Sequence, residues 1–228
     1  DPRKLDVLYN SLDVEKQKKI RQTITEEVRV NIKKKLFKGS SKPVLLWIGR
    51  LTAHKKLNML IEAVSMLEKQ GVEVDLLFVG DGPEKDTLIN NVINRNLQDK
   101  VRFYGSCHNE AELGPIISMS DICIAPGEVG LTCMHSLVYG TPVITHDNPD
   151  YQMPEYEAIR EGISGSFFKF EDISDLVRSI SEWLSKDVSR DEIREQCYAI
   201  IDDFYNPEAQ LKIIDNAVRG NPSTLVDS

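Results

Sequence analysis

The sequence predicts an α/β fold of the doubly wound, Rossmann-like kind: a parallel sheet with helices on both faces and further helices at its C-terminal end. Three observations predict it. Short apolar runs alternate with amphipathic stretches from Val44 to Phe168, several runs end in glycine-containing turns, and the text after Phe170 is wholly helical. A repeated β-α alternation calls for parallel strands joined by crossover helices. Ligands then bind beyond the C-terminal ends of the strands.

Taken in order, residues 13–38 are rich in Glu, Lys, Arg and Ile and contain neither Gly nor Pro. They read as one long exposed helix, ended by the breaker segment Gly39-Ser-Ser-Lys-Pro43. Six strands are expected at Val44–Ile48, Asp75–Val79, Val101–Tyr104, Asp121–Ala125, Pro142–Thr145 and Ser166–Phe168. Between them, helices are expected at Leu57–Gln70, Glu84–Asn96, Glu110–Met119, Leu131–Tyr139 and Pro154–Glu161. The segments Ile173–Ser185, Arg190–Phe204 and Pro207–Val218 complete the helices and are expected to cap the sheet. This divides the chain into a linker and helix at 1–42, a single domain at 43–220 and a frayed polar tail at 221–228.

A chain of 228 residues is long enough for one substantial core. No apolar run approaches the roughly 20 residues that span a bilayer. The net charge of −8 argues against general nucleic-acid binding, which needs a positive field to displace counterions. Cys107, Cys123, Cys133 and Cys197 lack the paired spacing of a zinc site and read as reduced core thiols, which points to the cytoplasm. There is no Asp-x-Asp pair, and the adjacent Asp202 and Asp203 on a helix diverge, so no metal or other cofactor is expected. The polar opening Asp1-Pro-Arg-Lys reads as the middle of something longer. The basic run Lys33–Lys38 has two readings, a solvated helix face and a peripheral contact with anionic lipid at the inner membrane face.

Chemistry concentrates at three strand ends. The first strand runs into Gly49-Arg50-Leu51, with Lys55 and Lys56 following. An arginine fork and a lysine point charge on one loop suit a diphosphate, although surface cations of no special purpose would read the same way. The turn Gly80-Asp-Gly-Pro83 after the second strand is a tight loop common to many α/β domains. The stretch from Ala125 to His146 is the most informative: strand end, glycine loop, helix, glycine stop, strand. The free amides of Gly130, Leu131 and Thr132, backed by the helix dipole, form a phosphate site without side chains. Glu128 precedes them and His135 lies within the helix. Glu128 reads either as a helix-terminal acid or as a group for sugar hydroxyls, and His135 as a packing histidine or a ligand contact.

In this order the motifs resemble the retaining glycosyltransferases of the GT-B fold and GT4 type, from Tyr9 to about Asn206. Tyr9-Asn-Ser-Leu-Asp13 is similar to that family's interdomain linker. Ile48-Gly-Arg-Leu-x3-Lys55 resembles its phosphate loop, and Val79-Gly-Asp-Gly-Pro83 its second turn. Val101-Arg-Phe-Tyr-Gly105 and Gly130-Leu131 through Gly140-Thr-Pro-Val-Ile144 follow in sequence. The resemblance implies a C-terminal donor domain that binds a nucleoside-diphosphate sugar. Arg50 and Lys55 would hold the diphosphate, the backbone at Tyr104 and Gly105 would meet the base, and the Gly130–Thr132 amides would hold phosphate. A glycan or lipid-linked acceptor would be bound by a missing N-terminal domain. This half alone would bind donor weakly and transfer nothing, and surface polysaccharide or glycolipid synthesis is the implied setting.

Three departures qualify the match. The family's paired glutamates would fall on Gly127 and His135, counting back from Gly140, so Glu128 would have to reach the sugar by a displaced backbone and His135 would have to serve the ribose. The loop from Pro126 is about three residues shorter than usual. Asp150-Tyr-Gln-Met-Pro-Glu155 stands where paired glycines are common. Two other readings stay open: a nucleotide-binding scaffold that kept the fold without the chemistry, and a sugar-nucleotide epimerase of the same architecture.

Overall fold

The computed structural model describes residues 8–12 and 14–221. Among these, β1 (Val44–Ile48), β2 (Asp75–Val79), β3 (Val101–Gly105), β4 (Ile122–Ala125), β5 (Val143–His146) and β6 (Gly165–Phe168) form one sheet in the order β3-β2-β1-β4-β5-β6. Every pairing is parallel, with Leu45 set between Leu76 and Ile122, and Cys123 opposite Val143. The central strands are apolar at nearly every position because helices cover both faces. Leu45, Leu46, Trp47, Leu76, Leu77 and Phe78 are all inaccessible to solvent.

The crossover helices are α3 (Asn58–Lys69), α4 (Lys85–Asn94), α5 (Glu110–Met119) and α6 (Leu131–Val138), and α7 (Ile173–Leu184) follows the last strand. One layer groups α3 with α4 and α7. α3 turns Leu60, Ile61, Val64 and Leu67 inward, as its i, i+3, i+4 spacing dictates. The other layer groups α5 and α6 with α1 (Val14–Thr23), α2 (Glu26–Phe37) and α8 (Arg190–Phe204).

Here the structure corrects the sequence reading. The expected single exposed helix over 13–38 is two helices, and neither stands free of the core; Asp13 itself lies outside the described residues. The break falls at Ile24, which is buried, and Thr25, which adopts extended backbone and accepts the Val28 N–H on its hydroxyl at 3.3 Å. A threonine cap of this kind followed by two first-turn glutamates is a helix start that the absence of Gly and Pro hid. Val14 and Phe37 join the core. Arg21 ties α1 to α8 through two bonds to Asp202, at 2.5 and 3.3 Å, and its guanidinium lies over Tyr198.

The C-terminal helices differ from one another. α8 buries Ile193, Cys197, Ile200 and Ile201, whereas α9 (Pro207–Val218) buries none of its residues and caps no part of the sheet. α9 instead meets the segment entering the domain: Gln210 donates to the Tyr9 carbonyl at 2.6 Å and accepts from Ser11 at 3.0 Å. The polar tail lies outside the described residues apart from Asn221. Residues 154–161, expected as a helix, hold a short 3-10 turn at Pro154–Ala158. No helix among the described residues is long and apolar enough to cross a membrane.

Candidate functional site

β1 lies between β2 and β4, where the direction of winding reverses, so the loops that leave β1 and β4 diverge and open a crevice at the C-terminal edge. The β1 loop makes one 3-10 turn at Ala53–Lys55 and ends on Lys56 in left-handed backbone, at φ 52°. The β4 loop runs against it, with the Gly127 N–H on the Lys55 carbonyl at 3.1 Å. A Cβ at 127 would stand 2.3 Å from the His54 carbonyl oxygen, so only glycine fits. The carboxylate of this loop stands one residue on, at Glu128.

Glu128 is held on both sides. The Lys55 ammonium donates to its backbone carbonyl at 3.0 Å and to Oε1 at 3.1 Å, and His54 Nε2 lies 3.4 Å from the same oxygen. Lys55 is mostly buried and sits 6.0 Å from the centre of the Trp47 ring, whereas Glu128 keeps about a third of its side chain in solvent. The loop is clamped from the other side by Gln152, which accepts the Val129 N–H at 3.0 Å and donates to Thr145 Oγ1 at 2.8 Å and the His146 carbonyl at 3.1 Å. α6 then begins at Gly130, whose φ of 51° and ψ of −148° favour glycine. The Thr132 hydroxyl is spent on the Ile48 carbonyl at 2.8 Å, which pins the head of α6 to the end of β1. What remains for a ligand at Gly130, Leu131 and Thr132 is the set of first-turn amides, which no earlier turn can satisfy.

Two cavities flank this segment. The first, of about 420 Å³, is lined by Gly49, Arg50, Gly80, Cys107, His108 and His135 among others. The second, of about 390 Å³, is lined by His54, Lys56, Glu128, Tyr151, Gln152 and Phe170 among others. The structure therefore brings Arg50 and His135 into one cavity and Glu128 into its neighbour, with Lys55 bonded to Glu128. Arg50 is exposed and has no ion-pair partner among the described residues.

Tyr104 and Gly105 do not line either cavity. The β2–β3 register shifts between Phe78 and Val79, so the chain reaches the first cavity only at Ser106, Cys107 and His108. The Tyr104 hydroxyl is turned to Glu112, which, with burial, pushes its pKa up to about 12. Cys107 is half-exposed at the cavity wall, a correction to its reading as a core thiol, and burial with nearby acids raises its pKa. Cys123, Cys133 and Cys197 are buried and unpaired.

His135 carries a partner that the sequence did not mark. Its Nε2 lies 3.1 Å from Glu110 Oε1, and the Tyr139 hydroxyl donates to Glu110 Oε2 at 2.7 Å. The His135 bond, aided by Tyr139, holds the Glu110 carboxyl at about 2 against the opposing effect of burial. The only sequence signal for Glu110 is its place in the first turn of α5 after the capping Asn109. Burial lowers the pKa of His146, which is inaccessible to solvent, accepts the Asn148 N–H on Nδ1 at 3.3 Å and meets Phe170 edge-on at 4.7 Å. Glu155, also buried, accepts from Asn10 at 2.6 Å and so fastens the entering segment behind the second cavity.

A comparison with known proteins agrees with this architecture. The alpha-D-kanosaminyltransferase of Streptomyces kanamyceticus is 26% identical over 126 residues, covering 54% of this chain and 32% of that protein. The alpha-monoglucosyldiacylglycerol synthase of Streptococcus pneumoniae is 26% identical over 206 residues, covering 88% of this chain and 45% of that protein. The chain thus spans less than half the length of these curated relatives. Among solved structures, Anabaena Alr3699/HepE in complex with UDP superposes with a TM-score of 0.75 at 17% identity, covering 94% of this chain and 57% of that one. The profile of the family Glycosyl transferases group 1 matches residues 28–199, from α2 through the sheet and into α8, and the chain belongs to that family.

Proposed function

We propose that this chain is the donor-binding half of a retaining glycosyltransferase and holds a nucleoside-diphosphate sugar across the C-terminal edge of the sheet. The observation that carries the reading is that the segment from Gly127 to His135 touches two cavities: His135 lines one together with Arg50, which has no ion-pair partner among the described residues, and Glu128 lines the other. The nucleoside occupies the first cavity beside His135 and the Ser106–His108 backbone. The diphosphate lies on the Gly130–Thr132 amides, where the helix dipole and Arg50 stabilise the charge that builds on the leaving group. The sugar reaches the second cavity, where Glu128 accepts from its hydroxyls and Lys55 keeps that carboxylate oriented. The acceptor, a glycan or glycolipid, is presented by a second domain, since transfer needs both reactants held in register. Work on surface polysaccharide or glycolipid at the cytoplasmic face of a membrane is the setting we assign.

Calorimetric titration with UDP, GDP, ADP and CMP, repeated on Arg50→Ala, tests the reading. One diphosphate should bind selectively, with UDP first in line because a structural neighbour was solved with it. Loss of a charge-assisted contact of about 1.5–3 kcal/mol should weaken binding roughly 10- to 100-fold in the variant. Equal affinity in Arg50→Ala would remove the phosphate assignment.

A second reading, a nucleotide-binding scaffold without transfer, is favoured by one observation: Lys55 and His135 are already engaged by Glu128 and Glu110. It predicts nucleotide binding but no consumption of sugar nucleotide with any acceptor by the full-length protein.

A further inference from the structure

The wall of the second cavity contains a feature that donor chemistry alone does not require. Tyr151 is 61% exposed, yet its ring is fixed. It stacks on Phe170 at 4.9 Å between centroids with 14° between planes, which leaves the other face of the tyrosine open. Phe170 is in turn held by the edge of His146 and by the Lys56 ammonium 4.0 Å from its ring centre. Its amide donates to Asp147 at 3.0 Å. Lys56 then pairs with Glu171. Both residues of that pair adopt left-handed backbone, at φ 52° and 61°, which is costly for a side chain with a Cβ and gathers at ligand sites. Met153, which lines the same cavity and is 45% exposed, adds apolar surface beside it.

An open aromatic face whose motion is already restrained, bordered by acceptors and donors, matches one kind of ligand. A pyranose ring has a face of C–H groups and an equatorial rim of hydroxyls. The aromatic face takes the first by dispersion and quadrupole attraction. Asp150, Glu128 and His54, which line the same cavity, can take the second. A lipid tail would strip solvent from these polar groups and offer them no hydrogen bond in return, at a desolvation cost.

We propose that Tyr151, backed by Phe170 and the Lys56–Glu171 pair, is the stacking platform for a pyranose ring at this site. Its place beside Glu128 rests on the donor reading above. The ring belongs either to the sugar nucleotide or to a glycan acceptor, and the chemistry is common to both.

Proton NMR of this chain separates the sources. In one arm, UDP-glucose, UDP-galactose and UDP-N-acetylglucosamine are added, with UDP alone as reference. In the other, methyl α- and β-glucopyranoside are added in the presence of UDP. Stacking moves pyranose C–H resonances upfield through the tyrosine ring current. The shift should persist in Tyr151→Phe and vanish in Tyr151→Ala, with sugar affinity in the shifted arm falling about three- to tenfold. A shift confined to the first arm assigns the donor sugar, and one confined to the second assigns the acceptor. No upfield pyranose signal in either arm, with UDP binding intact, overturns the platform and leaves the donor reading standing. Failure of every nucleotide to bind in calorimetry overturns the donor reading, and the glycoside arm still decides the platform.

Discussion

Replacing Glu110 by Gln isolates the contact that orients His135. The wild-type carboxyl sits at about 2 against an ordinary 4.5, chiefly through its His135 bond. A shift of that size corresponds to at most about 3 kcal/mol of stability at neutral pH. The side chain is 20% exposed, and solvent screening trims the expected loss to about 2 kcal/mol. For a domain of this size that is a fall in Tm of about 4–8 °C. The sign of the pH dependence follows from the depressed pKa. The stabilisation is complete above the unfolded value near 4.5 and drains away as pH falls towards about 2. Urea unfolding of both proteins at pH 7, 5, 4 and 3.5 should show a constant gap down to about pH 5 and a narrowing one below it. A gap that stays constant to pH 3.5, or no gap at pH 7, would refute the claim that an ionised Glu110 is what holds the α5–α6 contact together.

Three other substitutions probe separate links. Gly127→Ala places a Cβ 2.3 Å from the His54 carbonyl; thermal melting should show a loss of about 1–3 kcal/mol, and calorimetry weaker nucleotide binding as the Glu128 loop shifts. Gln152→Leu leaves the Val129 amide and Thr145 hydroxyl without their side-chain partner; urea titration should register about 1–3 kcal/mol, and hydrogen exchange should speed up at Val129. Thr25→Ala removes the cap that starts α2; the expected loss is about 1 kcal/mol, with no change in nucleotide affinity because the cap lies far from the crevice in the chain and in the fold.

The sheet was legible in the sequence because each strand is an apolar run bounded by turn residues, and burial on both faces makes that signal strong. Where the sequence misled, the deciding forces were tertiary. Residues 14–37 read as one charged helix because no Gly or Pro interrupts them, and the break at Thr25 follows from Ile24 and Phe37 being drawn into the core while Arg21 reaches Asp202 on α8. Nothing within α1 itself announces that partner, 181 residues away. The converse error occurs at α9, which is expected to cap the sheet but whose polar contacts go to Tyr9 and Ser11.

At the candidate site, spacing identified the loops but not the pairings within them. Arg50 and His135 line one cavity and Glu128 its neighbour, yet Lys55 meets Glu128 and His135 meets Glu110. The loop from Pro126 runs close against the turn at Ala53–Lys55, and that approach excludes any side chain at 127. Glu128, one residue on, lies within reach of Lys55 and engages it. Among the described residues Arg50 has no ion-pair partner and lines the first cavity, and so Arg50→Ala, rather than Lys55→Ala, is the variant in which calorimetry should show the larger loss of nucleotide binding.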